Sequence, residues 1–420
     1  MPRAGGALLL VLLLTAFGVY SATHPIDFQV YHGVARQVLQ GDYALYPEGL
    51  DASTGRPIVP GFRYAPAIAW LFAPLGWLRL EIAAYLFFWA KIAGVALVAL
   101  LVRRLLHAGS RPLRTLVLVP VLAAGGYLAE EFRNGNAHVL TLTVMVSAIY
   151  LVERGRTLAP SVLMALAIAI KATPALLVAY FVVQGRWRLG AATAVALALL
   201  LAAPSLVVGA RGNVALLKGF AVAATQTIDQ PANHSLRGVL FRFLHREAGA
   251  DPNYPDVRMA NLSAFAVDGL WLALCAVVVG LMAPGVVRRS AEPDAAMLDY
   301  AAVVTAALVL APHTQRIYFS VLFFPACVLV ALLAKHPRLR HARAARLALG
   351  ASIAAGTIVP PLLPGREAAL GYEVVSPYLW TTLWLLGVLV VLSRELKSAL
   401  VSDRAVPEQS SGQKAKSRQS

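Results

Sequence analysis

A carboxylate, Asp27, follows the apolar run 7–20 and opens the segment Asp27-Phe28-Gln29-Val30-Tyr31. A carboxylate held where lipid meets water is suited to take a proton from a hydroxyl carried by, or delivered to, a membrane lipid. A short polar side chain at such a position also commonly caps a helix, here one beginning near Phe28. Lys171, in Lys171-Ala172-Thr173-Pro174, is a cation set in apolar sequence that needs a partner; a phosphate, a carboxylate or a carbonyl cluster would each serve. Arg211, Lys218, Arg237, Arg242, Arg246 and Arg258 crowd the segment 209–262, where basic groups could receive a lipid phosphate. His24, His32, His138, His234 and His313 have no i, i+4 partnering with a glutamate, so they read as ordinary loop residues or ligand contacts, with no metal site. No Gly-rich phosphate loop and no Gly-x-Ser-x-Gly nucleophile motif is found.

The elements that must position these residues are membrane helices. With 59% hydrophobic and 14% charged residues over 420, and a mean hydropathy of +0.67, the chain has too little polar surface to coat a soluble globule. Runs such as 82–102, 189–208, 263–285 and 317–334 approach or reach the roughly 20 residues needed to cross a ~30 Å hydrocarbon layer. No strand-like alternation points to a barrel. Cys275 and Cys327 each lie inside an apolar run and read as small core residues.

A net charge of +16 raises nucleic acid as a partner, but the basic residues are bunched in short connectors. Arg103, Arg104, Arg111 and Arg114, then Arg154 and Arg156, Arg186 and Arg188, Arg288 and Arg289, and the stretch 335–346 form the positive-inside pattern. Nucleic acid is then not needed to explain the charge.

Threading the chain between those anchors predicts an all-α polytopic membrane protein with about ten full spans plus short re-entrant or interfacial helices. One membrane domain covers 1–393, with outer loops at about 21–63 and 209–262, and 394–420 is expected to be a disordered cytoplasmic basic tail. The Pro-containing piece 64–78 is kept on the outer side, and 158–184, with arginines at both ends, is read as two half-helices entering and leaving from one side. The opening run resembles a cleaved signal peptide, but an uncleaved anchor is expected, because cleavage would leave Asp27 at a frayed terminus. The polar residues without an anchoring purpose then fall on the outer face, among them Asp27, Tyr31, Arg63, Glu130, Glu131, Asn136, His138, Asn233, Arg237, Arg242, His313 and Arg316.

These residues resemble a family. Asp27 with Phe28 and Tyr31, Gly41-Asp42-Tyr43-Ala44-Leu45-Tyr46-Pro47, and Phe62-Arg63-Tyr64-Ala65-Pro66 running into Leu71-Phe72-Ala73-Pro74-Leu75 look like the first third of the polyprenyl-phosphate-sugar-dependent glycosyltransferases of family 87. The likeness continues through Arg133-Asn134-Gly135-Asn136, where the family usually has a Gly-Gln-x-Asn turn, and through the stretch 167–174 with Arg186-Trp187-Arg188. It resumes at Asn233-His234-Ser235-Leu236-Arg237-Gly238 with Arg242, and at Pro312-His313 to Tyr318, covering roughly 1–335. Gln315-Arg316-Ile317-Tyr318 stands where many members carry paired histidines, a departure that bears on the sugar or acceptor.

The resemblance implies a GT-C-like bundle in the plasma membrane with its active face external. It implies inverting transfer of a hexosyl, by family usage mannosyl, residue from a polyprenyl-phosphate carrier to an acceptor hydroxyl on a glycolipid or glycan, with no metal and no cofactor. Asp27 would be the base. Lys171, Arg237 and Arg242 would face the phosphate, and Asn233 and Asn136 the sugar hydroxyls; Tyr31, Arg63, His313 and Arg316 complete the expected binding set. A transporter or flippase for lipid-linked sugars is the alternative, since Lys171 beside Pro174 also fits a broken transport helix.

Overall fold

The computed structural model describes residues 2–47, 61–107, 113–225, 232–246, 255–286 and 292–404, and among these the regular elements are helices. The chain opens with α1 (Pro2–Thr23), α2 (Phe28–Leu39), α3 (Pro66–Gly76), α4 (Leu80–Leu105), α5 (Leu113–Ala123) and α6 (Gly125–Asn134). It continues with α7 (His138–Glu153), α8 (Leu158–Ile170), α9 (Ala175–Val183), α10 (Trp187–Ala202), α11 (Ser205–Thr225) and α12 (Leu236–Leu244). The last third holds α13 (Ala264–Val286), α14 (Pro293–Leu310), α15 (Phe323–Lys335) after the 3-10 turn Arg316–Leu322, α16 (Ala342–Ile353), α17 (Gly365–Val375) and α18 (Pro377–Arg404).

Among the described residues six helical segments are long and apolar enough to cross a bilayer, or up to eight if each of two bent pairs is one span. The bent pairs are Leu8–Thr23 with Phe28–Leu39, at 59°, and Gly125–Asn134 with His138–Glu153, at 115°. Shorter apolar helices accompany these segments. Helices α5, α8, α9 and α10 contain 11, 13, 9 and 16 residues. At about 1.5 Å per residue none of these covers ~30 Å alone.

Two expectations change. The segment 209–262 is not one open loop, since α11 and α12 lie within it and a kink at Gly209 (φ 71°) bends α11 near its start. Helix α18 runs on to Arg404, so residues 394–404 are not a disordered tail; 405–420 lie outside the described residues. Ser393 Oγ, just before that extension, and Lys397 Nζ, within it, donate to Asp299 at 2.5 and 2.6 Å, and Glu395 receives His341 Nδ1 at 2.8 Å. Each contact ties a helix-favouring stretch to the bundle.

The half-helix reading of 158–184 agrees with the structure. His138, at the start of α7, meets Lys171, at the end of α8, while Glu153, at the far end of α7, binds Arg186 Nη2 at 2.9 Å just beyond α9. Helices α8 and α9 therefore leave and return to the same end. The break is local chemistry: Pro174 disfavours helix at Thr173 and has no N–H to lose, and Lys171 adopts an extended backbone (φ −153°, ψ 136°).

Packing forms two apolar clusters. The larger joins α4, α5, α7, α14, α15 and α18; the smaller gathers α2 and α3 with Phe62, Tyr64, Phe87 and Ala169. Cys327 is buried in the larger cluster and Cys275 is half-buried, both as free thiols. The site described next draws its walls from both clusters.

Candidate active site

A cavity of about 530 Å³ opens between the two clusters, and among the described residues Asp27 is the one carboxylate in its lining. The helix-cap alternative for Asp27 can be judged directly. Asp27 does occupy the position before α2, but its side chain makes no capping hydrogen bond. Its Oδ2 instead accepts from Asn136 Nδ2 at 2.9 Å, and its backbone N–H donates to the Asn134 carbonyl at 2.7 Å.

The turn that reaches Asp27 depends on Gly135. It ends α6 in the left-handed region (φ 74°), and a Cβ there would come within 2.6 Å of Phe28 Cβ. Asn136 is itself oriented by the Ala137 N–H, which donates to Oδ1 at 2.7 Å and so fixes which end of the amide faces the carboxylate.

Behind this turn lies a buried polar chain. Glu131, fully buried, accepts from the Val139 N–H at 3.3 Å through Oε1 and lies 3.1 Å from His138 Nδ1 through Oε2. His138 Nε2 meets the Lys171 ammonium. One tautomer satisfies both contacts: Nδ1–H donates to Glu131, leaving Nε2 to accept from Lys171. The cation is thus steered by a neutral ring backed by a carboxylate, and it sits over the Tyr318 face 2.9 Å from the centroid. Lys91, also fully buried, donates to the Glu131 carbonyl at 2.7 Å.

The wall opposite is aromatic and polar. Tyr31 and Tyr64 share a 2.6 Å hydroxyl contact, and Tyr46 donates to the Tyr64 carbonyl at 2.6 Å. Arg63, Gln315 and His313 complete the polar lining. Neither ring nitrogen of His313 has a hydrogen-bond partner among the described residues, although both are shielded from solvent. Beyond Lys171 the space narrows to about 30 Å³ between Met145, Val304, Leu308 and Val321.

Asp27 sits in the break between α1 and α2, where burial raises its carboxyl above the usual carboxylate range; the Asn136 bond opposes this. Burial, followed by the charges of Lys171 and Arg63, lowers the His313 imidazole to about 4.

Of the residues expected from the sequence, the structure brings Asp27, Tyr31, Arg63, Asn136, Lys171 and His313 into this cavity. Asn233, Arg237, Arg242 and Arg316 are not in its described lining. Arg237 Nε binds Asp268 at 2.6 Å, a carboxylate partner in place of a ligand phosphate. Arg242 is buried against the Asn233 carbonyl (2.5 Å), the Val374 carbonyl (3.1 Å) and Ser376 Oγ (2.6 Å). Asn233 donates to the Pro312 carbonyl at 3.1 Å and accepts from the Thr314 N–H at 3.0 Å, so it clamps the loop that presents His313. Arg316 faces Glu130 at 3.4 Å and Glu373 at 4.0 Å.

Glu131, Tyr64 and Tyr318 had no role in the sequence reading, and His138, read there as a loop residue or ligand contact, instead bridges Glu131 and Lys171. A usable signal was present in Lys91, an ionisable residue in the middle of the apolar run 82–102, which required a polar partner nearby.

The helices and this cavity describe a multi-pass membrane protein with a polar site lined from its helices and loops. The sequence pattern of glycosyltransferase family 87 matches residues 62–312, more than half of the chain, and the protein belongs to that family. It is a membrane glycosyltransferase. Neither curated proteins nor solved structures gave a match. The matched span begins after Asp27 and Tyr31 and ends before His313 and Arg316, so the case for those residues rests on geometry and on the wider resemblance.

Proposed function

We propose that the protein transfers a hexosyl, by family usage mannosyl, residue from a polyprenyl-phosphate carrier to an acceptor hydroxyl, with inversion at C1, in a GT-C-like bundle. The observation that carries this reading is that Asp27, the one carboxylate among the described lining residues, shares a cavity with Lys171 and Arg63. Asp27 takes the proton of the acceptor hydroxyl as its oxygen attacks C1. The C1–O bond to phosphate breaks, and the departing phosphate gathers charge that fixed cations offset without reorganising. The raised Asp27 carboxyl makes a stronger base than an ordinary aspartate. Lys171 and Arg63 take the phosphate side, Asn136 and His313 the sugar or acceptor hydroxyls, and Tyr31 the floor beneath them. The narrowing past Lys171 to about 30 Å³ weighs against an open path running through the bundle, as a transporter would require.

The bunching of basic residues in the connectors at the other end of the helices supports an external, plasma-membrane orientation for this cavity. Single cysteines at His24 and Arg104 test that orientation: membrane-impermeant reagent applied from outside should label the first and spare the second. Labelling of both from one side contradicts it.

The decisive assay supplies the full chain, in lipid, with labelled polyprenyl-phosphate sugars and a total lipid extract. Asp27→Asn is expected to lose transfer by roughly 10²–10⁴-fold while retaining its fold and donor binding. Equal turnover by the two proteins removes Asp27 from the mechanism. Transmembrane movement of the carrier sugar without transfer supports the transport reading instead.

A further inference from the structure

At the opposite end of the bundle a second cavity, of about 440 Å³, is lined by Glu153, Gly155, Arg156, Thr157, Arg186 and Arg188, with apolar neighbours. It is built from two turns of the same design. Gly155 (φ 72°) follows α7 and Gly185 (φ 80°) follows α9; each is succeeded by an arginine and then by a helix N-terminus, that of α8 or α10. The first N–H groups of both helices lack intrahelical acceptors, and both helix dipoles present their positive ends here.

The charge balance also favours an anion. Glu153 is the one carboxylate in the described lining, and it is already engaged by Arg186 at 2.9 Å and by the Tyr300 hydroxyl at 2.5 Å. Among the described residues no carboxylate pairs with Arg156 or Arg188. Two exposed apolar side chains stand at its edge: Trp187, in the lining, is 62% exposed, and Leu158, next in sequence to the lining residue Thr157, is 75% exposed. In a spanning bundle a tryptophan beside arginines suits the headgroup layer.

We infer that this cavity binds the phosphate of an anionic phospholipid headgroup, with Arg156, Arg188 and the N-termini of α8 and α10 as its donors and Leu158 and Trp187 against the glycerol and acyl region. A guanidinium offers paired donors to phosphate oxygens, and two converging helix ends add oriented N–H groups. The exposed apolar rim favours a lipid over a soluble phosphate. This site is separate from the Asp27 cavity, at the other end of the half-helix pair that carries Lys171.

The test titrates the full chain in neutral detergent with dihexanoyl phosphatidylglycerol, with dihexanoyl phosphatidylcholine and with inorganic phosphate. Phosphatidylglycerol should bind one site per chain, with phosphatidylcholine and inorganic phosphate much weaker. Arg156→Gln with Arg188→Gln should weaken that binding on the order of tenfold to thirtyfold. Arg338→Gln with Arg343→Gln, an equal charge change near the same end, should alter it by no more than about twofold. Thermal unfolding of each double variant, and of the single variants Arg156→Gln and Arg188→Gln, establishes that the fold is kept. Equal weakening by both pairs would mean general attraction to a basic surface and overturn the site. Inorganic phosphate binding as tightly as phosphatidylglycerol overturns the lipid assignment, and absence of phosphatidylglycerol binding overturns the proposal.

Discussion

Asn136 donates its side-chain amide to the Asp27 carboxylate at 2.9 Å across 109 residues of sequence, and the backbone repeats the tie where the Asp27 N–H donates to the Asn134 carbonyl at 2.7 Å. The break after the first helix and the turn after α6 are thus one structural unit. Oδ2 is held by this amide, and in the proposed mechanism Oδ1 is the oxygen left for the acceptor hydroxyl.

That bond sets a pH dependence with a defined sign. Burial raises the Asp27 carboxyl and the Asn136 bond lowers it, by favouring the ionised form. A base works only when ionised, so transfer should fall as pH drops through the raised value. Asn136→Ala removes the lowering contribution, and the acid limb of kcat/KM should move to higher pH, with kcat at neutral pH down by roughly tenfold. A limb that stays in place or moves down would show that the amide does not tune the base.

Gly135→Ala tests the turn itself. An alanine at φ 74° is strained, and its Cβ would press on Phe28 Cβ at 2.6 Å. A non-glycine residue in the left-handed region costs roughly 1–2 kcal/mol before any clash is counted. The expected result is a lower unfolding temperature together with a larger loss of transfer than of donor binding. Wild-type transfer in Gly135→Ala would mean that the Asp27–Asn136 alignment is not critical.

The elements of this site were unequally legible in the sequence. Asp27 and Lys171 could be found because each sets a charge beside or within apolar sequence, and the Asn134-Gly135-Asn136 turn because it lies in a polar stretch between two apolar runs and resembles a family turn. Arg237 and Arg242 stand out too, but their partners, Asp268 on α13 and the 374–376 turn, are distant in sequence and cannot be paired by inspection. His138 and Glu131 are separated by seven positions with a turn between them, so no helical spacing relates them. An apolar stretch such as 113–128 looks continuous in the sequence, whereas the chain breaks at Ala124 into α5 and α6, where a Cβ on Gly126 would strike the Gly356 carbonyl at 1.8 Å.

Glu131 should matter to stability as well as to transfer. Glu131→Ala leaves the Val139 N–H and His138 Nδ1 without their acceptor and removes the negative charge facing buried Lys91 and Lys171. Breaking one side of a buried charge network costs roughly 3–5 kcal/mol. A clear fall in unfolding temperature in lipid nanodiscs is expected, with weaker donor binding as Lys171 loses its steering. If Glu131→Ala unfolds like wild type, the buried chain is not an energetic unit.

His313 carries the remaining prediction because its ring is shielded yet unpartnered. A buried polar side chain without a hydrogen bond is costly, and a substrate hydroxyl entering the cavity would supply the missing partner. With its imidazole lowered to about 4, first by burial and then by Lys171 and Arg63, the ring is neutral near pH 7 and offers one donor and one acceptor. His313→Gln retains both functions and should keep transfer within about tenfold. His313→Phe keeps the edge contact with Tyr318 but neither polar function, and should raise KM for the sugar donor or the acceptor by roughly tenfold or more. Steady-state kinetics with each substrate varied in turn will show which of the two the ring reads. Unchanged constants in His313→Phe would leave the orphaned nitrogens without a role in binding.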